Sequence, residues 1–399
     1  MRGKSWSAQM SSGKNGRLNL HVGELVEVKS EAEILATLDQ EGKLQSLPFM
    51  PEMLQYCGRR FRVLKRADKT CDTIRGTWRR RMRDAVHLDL RCDGQAHDGC
   101  QALCLLFWKE AWLSRAQDEE AVPIRASRPG GVVGNSTGTT TTEPRCARET
   151  VTAACRSVNE AGETVYTCQT TELVKATSPL TWWHAGQYVR DVRSGNVTLA
   201  DVIRGTLIGV FNKAQVLLSR HLPARLLIHG GLKYPFIAGT LTKTPKAVLN
   251  LQPGELVEVR SKDEIVATLD SGNRNRGLLF DREMVGYCGR RMRVLSRVNR
   301  IIDERSGKMS ELNSDCLILE GAYCRGGFNQ FCPRGIYSFW REIWLKRVDP
   351  PLGAREGATS VGSRTSVALS MPGASNAGCM SAAEGPPCVV LSPAQEQTR

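Results

Sequence analysis

Apolar and polar residues alternate in "ELVEV" at Glu24–Val28 and again at Glu255–Val259, which predicts a strand buried on one face at each place. Ser30 with Glu33, and Ser261 with Glu264, have capping-box spacing ahead of "ILATL" and "IVATL", so a helix of one or two turns should follow each strand. "PEMLQYCG" and "DREMVGYCG" predict a second short helix, with Pro51 in a first turn, Asp281 as an N-cap, and Gly58 and Gly289 as terminators. The next predicted strands are "RFRVLKR" and "AVHLDL" in the first set and "RMRVLSR" and "CLILEG" in the second. Each set closes on an aromatic strand, "FWKEAWL" or "FWREIWL". That last pattern sits awkwardly on a strand, because Trp108, Glu110 and Trp112 would share one face.

The two sets are one text written twice. "GELVEVKSEAEILATLD" from Gly23 matches "GELVEVRSKDEIVATLD" from Gly254, and the match runs on to Arg115 and Arg347 with a single-residue shift. Two homologous modules therefore occupy 18–116 and 249–348. Between them, 117–171 opens on a Gly/Ser/Thr/Pro-rich stretch with little to bury and reads as a flexible linker. Residues 172–248 form a helical bridging segment. Its main helix is capped by Thr198 and Asp201, carries an apolar stripe of Leu199, Val202, Ile203, Leu207, Val210, Ala214, Leu217 and Leu218, and ends before Pro223. One helix cannot bury that stripe alone, so it should dock on a barrel or on a partner. The ends, 1–17 and 349–399, read as disordered.

Short strands with turns over about 100 residues suggest a small barrel. The "GELVEV" opening, the arginine-edged middle strand and the closing tryptophan strand resemble SH3-like small barrels of the KOW and Tudor type. The fold class expected is mainly β with some α: two homologous SH3-like barrels joined by a flexible linker and a helical segment. The resemblance implies a binding module and assigns no residue a role.

Composition changes the picture in two ways. The 399 residues carry a net charge of +14, which favours an anionic partner. No segment has the uninterrupted apolar length of a membrane span and the start of the chain lacks a signal-peptide core, so a cytoplasmic protein without a membrane partner is expected. In that compartment the 14 cysteines should be thiols or metal ligands.

Three cysteine positions recur: Cys57 with Cys288, Cys92 with Cys324, and Cys100 with Cys332. Cys316 adds a fourth to the second copy, opposite Asp84 in the first, where Cys71, Cys104 and His97 are available. Four such ligands suit a structural zinc site, although no C-x2-C knuckle is present; the competing reading is a set of buried thiols. The first copy also carries a basic hairpin. From Arg59 to Arg83 it has eleven Lys and Arg against two Asp, and Arg59, Arg60, Arg75, Arg79, Arg80, Arg81 and Arg83 with Trp78 form a candidate nucleic-acid surface. The competing reading there is a solvated basic loop. No triad, phosphate loop or metal-hydrolase motif appears around His184, Asp191 or Asp201, so no catalytic residue is assigned. The function expected is non-catalytic binding with nucleic acid as the preferred ligand. The alternatives are a protein-interaction scaffold and, third, a cysteine- or metal-dependent enzyme.

Overall fold

The computed structural model describes residues 17–75, 79–116, 146–312 and 315–348. Two five-stranded antiparallel sheets dominate it, each curled into a half-barrel. In the first the strands lie in the order Leu105–Lys109, Ala85–Arg91, Arg60–Arg66, Leu25–Val28, Leu113–Arg115. The second repeats that order with Tyr337–Trp340, Leu317–Tyr323, Arg291–Arg297, Leu256–Val259 and Leu345–Arg347. Register is the same too: Val26 faces Phe61 and Arg115, Val257 faces Met292 and Arg347. A slip after Val63 recurs after Val294. That register sets Cys316 level with Ala85 rather than Asp84, since Leu88 and Leu319 face Val63 and Val294.

The local signals act as read. Ser30 and Ser261 cap the helices Glu31–Leu35 and Lys262–Val266 through reciprocal bonds with Glu33 and Glu264. The second short helices are 3-10 turns, Pro51–Tyr56 and Arg282–Tyr287, leading to Gly58 and Gly289 at positive φ. The closing segment differs from a single strand. Strand Leu105–Lys109 gives way to a 3-10 turn, Glu110–Trp112, which turns the glutamate away from the tryptophans before strand Leu113–Arg115. Trp108 and Trp112 are then free to fill one core with Phe49, and Trp340 and Trp344 fill the other with Phe280. Glu110 accepts from the backbone N–H groups of Leu18, Asn19 and Leu20 and from Arg66; Glu342 does the same with Leu249, Asn250, Leu251 and Arg297.

The segment expected to be a flexible linker is folded from Cys146 onward; 117–145, and the ends 1–16 and 349–399, lie outside the described residues. Helix Arg148–Ala154 and hairpin Arg156–Val158/Thr164–Tyr166 lead to Gln169. Its amide accepts from Phe107 N at 2.8 Å and donates to Phe107 O at 2.9 Å, acting as a one-residue strand against the sheet edge.

The two copies pack on each other reciprocally. The hairpin around Cys71 in the first meets the turn at Cys332 in the second, where Cys71 N donates to Cys332 Sγ at 3.1 Å. The matching hairpin around Ile302 meets the turn at Cys100, where Ile302 N donates to Cys100 Sγ at 3.4 Å. Thr73 and Glu304, equivalent positions, hydrogen-bond each other on the pseudo-two-fold axis. Arg334, buried, bridges both, 2.8 Å from Thr73 Oγ1 and 2.5 Å from Glu304 Oε1.

Candidate partner surface and candidate metal centre

The expected metal ligands do not gather as two four-ligand sets. Among the described residues, the His, Cys, Asp and Glu side chains brought together in threes are Glu52, Cys92 and His97, with ligand atoms within 4.8 Å of one another. The other cysteines have separate surroundings. Cys100 and Cys332 accept the backbone bonds across the pseudo-axis. Cys316 lies in the second core, 3.6 Å from Arg341 Nη1. Cys57 and Cys288 end their 3-10 turns, and burial raises the pKa of each thiol. Burial also keeps Cys104 a thiol. The neighbouring Cys71 and Cys332 sulfurs shift each other, the pKa of Cys71 being raised and that of Cys332 lowered, with Arg79 adding to the second effect.

Glu52 was not singled out by sequence; its recurrence as Glu283 in "PEM" and "REM" was the available signal. The 3-10 turn buries it beneath the Cys92–Cys104 loop. His97 Nδ1 lies 2.6 Å from Glu52 Oε1, and Nε2 lies 3.2 Å from the carbonyl of Thr167. Both neighbours are acceptors, so without a metal both ring nitrogens donate. Burial opposes that charge, yet the hydrogen bond and charge of Glu52 raise the His97 pKa. Burial likewise works against Glu52, whose pKa is nonetheless lowered with His97 as the main partner. The Cys92 thiol donates to Glu52 Oε1 at 3.7 Å, and burial followed by the Glu52 charge raises its pKa. The three side chains together can hold a metal ion.

The basic hairpin is partly spent inside the fold. Arg79–Arg81 is the middle strand of a small sheet, between Lys69–Cys71 and Ser178–Leu180. Arg79 and Arg80 are buried. Arg80 donates to Thr177 Oγ1 at 2.6 Å and to the carbonyls of Val174 and Thr177, and lies 3.5 Å from Asp72. Arg81 is half-buried. Arg59, Arg60, Arg75 and Arg83 are exposed, and Trp78 lies outside the described residues.

The helix Leu199–Leu218 has its apolar stripe turned outward. Leu199, Ile203, Leu207, Val210 and Leu217 are 53–64% exposed. Its inner side rests on few contacts. Gly205 brings the backbone so close to Phe331 that a Cβ there would lie 2.7 Å from the ring. Asn212 accepts from Tyr234 N at 2.7 Å, and Gln215 donates to the carbonyl of Ile228 at 2.6 Å. A shallow groove runs along Ile203, Leu207, Ile208 and Tyr234, with Arg204 at its rim. Beside the helix, Lys213 sits 3.5 Å over the Trp182 ring, and Trp183 is 67% exposed. No helix among the described residues is long and apolar enough to cross a membrane. Comparison with known proteins found no matching family model, no matching curated protein and no matching solved structure.

Proposed function

We propose that this is a cytoplasmic, non-catalytic scaffold in which two SH3-like barrels hold the Leu199–Leu218 helix out to a partner protein. The observation that carries the reading is the outward apolar stripe. Ile203, Leu207, Val210, Ala214 and Leu217 follow alternating steps of four and three, the seam of a coiled coil, which asks for another helix. Water-exposed apolar surface of that length on a folded protein marks an interaction site. Exposed Trp183 beside it is the residue type that dominates interface energetics. The partner is an amphipathic helix with acidic flanks. Between Thr198 and Ile228 the chain has Arg204, Lys213, Arg220 and Arg225 against Asp201 alone, and a second copy of the chain would bring another +14 to the same face. Burial of Arg79 and Arg80 weighs against nucleic acid as the first choice, since a guanidinium held by carbonyls is not available to phosphate.

The test is fluorescence anisotropy with two synthetic heptad helices that share leucine seams and differ in Glu or Lys flanks. The acidic helix should bind, the basic one should bind at least tenfold less tightly, and Leu207→Glu with Val210→Glu should abolish binding while leaving the far-UV spectrum unchanged. Equal binding by both helices, or binding indifferent to the double variant, overturns the reading. Concentration-dependent dimerisation lost in the double variant would give the face to a second copy instead. Polynucleotide binding lost on replacing Arg59 and Arg60, with neither helix bound, would return the function to nucleic acid.

A further inference from the structure

We infer that Glu52, Cys92 and His97 form a site for one zinc-class divalent ion, present in the first copy and dismantled in the second. Three features carry it. The donor set is one thiol, one imidazole and one carboxylate, the mixture a borderline-soft divalent ion prefers, and three protein donors leave one tetrahedral position open. Glu52 Oε2 meets no hydrogen-bond partner among the described residues although the side chain is 2% exposed, so the buried carboxylate holds acceptor capacity that the chain itself does not use. His97 Nε2 already donates to the Thr167 carbonyl, the outer hydrogen bond that orients a metal-binding imidazole and leaves Nδ1 for the ion.

A divalent ion would take Cys92 as thiolate, His97 through an unprotonated Nδ1 and Glu52 as carboxylate, so its two positive charges are matched by two ligand charges. The Cys92 Sγ to Glu52 Oε1 separation of 3.7 Å already suits tetrahedral bonds of about 2.0–2.3 Å. The His97–Glu52 contact must lengthen once its proton leaves. Because the Cys92 thiol must give up its proton to coordinate, affinity rises with pH.

The second copy supplies a natural control. Glu283 and Cys324 occupy the same places, and Phe328 N donates to Glu283 Oε1 as Ala96 N donates to Glu52 Oε1. Asn329 stands where His97 stands and donates to Cys324 Sγ at 3.7 Å. With no imidazole beside it, Glu283 has its pKa raised by burial. A fold that accepts asparagine there should tolerate His97→Asn.

Full-length protein stripped by chelator and titrated with cobalt(II) should show tetrahedral visible bands and a thiolate charge-transfer band, saturating at about one ion per chain and bleached by zinc. His97→Asn and Cys92→Ser should each lose these bands, whereas Cys324→Ser keeps them. Absence of the bands in the unmodified protein overturns the inference, whatever the variants do. Their survival in both first-copy variants, or their loss in Cys324→Ser, overturns the assignment to this cluster.

Discussion

Single residues show how the two copies diverged under one fold. His87 lies in the first core where Ile318 lies in the second, each beside a phenylalanine, Phe107 or Phe339. His87 Nδ1 donates to the Leu106 carbonyl at 2.9 Å, while buried Nε2 meets no partner among the described residues. Burial lowers its pKa to about 4 from an ordinary 6.5. The unfolded chain therefore binds a proton between those values that the folded chain refuses, and stability falls as pH drops from 6.5 toward 4, by roughly 3 kcal/mol at most. His87→Ile, the second copy's own residue, should remove this contribution. Denaturant titrations at pH 7 and pH 4.5 should show a smaller acid loss in the variant than in the unmodified protein; equal losses would place the acid sensitivity elsewhere. Sequence displayed His87 inside a strand but not its burial, because alternation along "AVHLDL" leaves either face open. Glu52 was hidden for a related reason: an acidic residue in a first turn looks like an ordinary helix start until a loop folds over it.

At the scale of elements, most local structure was written in the chain. Capping boxes at Ser30, Ser261 and Thr198 each start a helix, and the repeat made one sheet order predict the other. The closing element was the exception. Its Trp-x-Glu-x-Trp spacing conflicted with a continuous strand, and the conflict marked a turn that buries the carboxylate. Glu110 is the anchor of that turn, holding three backbone N–H groups and Arg66, which is 3% exposed. Glu110→Ala leaves three backbone donors unpaired and takes one of two carboxylates from Arg66, which keeps Asp68, and should cost about 3 kcal/mol. Glu342→Ala should cost less, because the side chain of Arg297 is 25% exposed and water can replace part of its partner. Urea unfolding of the two variants checks both the size and the order. The helix Leu199–Leu218 was likewise legible in extent, whereas the direction its stripe faces was not. Periodicity fixes which residues share a face and says nothing about what covers it.

Across the whole molecule, the feature absent from the sequence is the embrace of the two copies. Recurrence of Cys100 and Cys332 pointed to shared chemistry, and each sulfur proves to accept a backbone bond from the other copy's hairpin. Charge was equally silent, since an arginine run looks the same whether solvated or turned inward against carbonyls, as Arg80 is. The pseudo-two-fold contact centres on Arg334, whose guanidinium holds Glu304 and Thr73 while Arg91 stacks 4.0 Å over Tyr337 nearby. Burial disfavours the Arg334 charge, and Glu304 of the same copy more than restores it. Removing one partner of such a buried pair leaves the other uncompensated, so Arg334→Ala should cost about 3–5 kcal/mol. The loss reaches the contact between copies, because Arg334 and Glu304 together hold Thr73 of the first copy, while each sheet keeps its own tryptophans and buried glutamate. Hydrogen exchange should therefore show the unmodified protein opening both sheets together. In Arg334→Ala the hairpins at 69–75 and 299–305 should lose protection first and the two sheets should exchange at separate rates. Sheets that stay coupled in the variant would mean that the bridging segment, with Gln169 on one edge and the Leu199–Leu218 helix on Phe331, joins the copies without the axis.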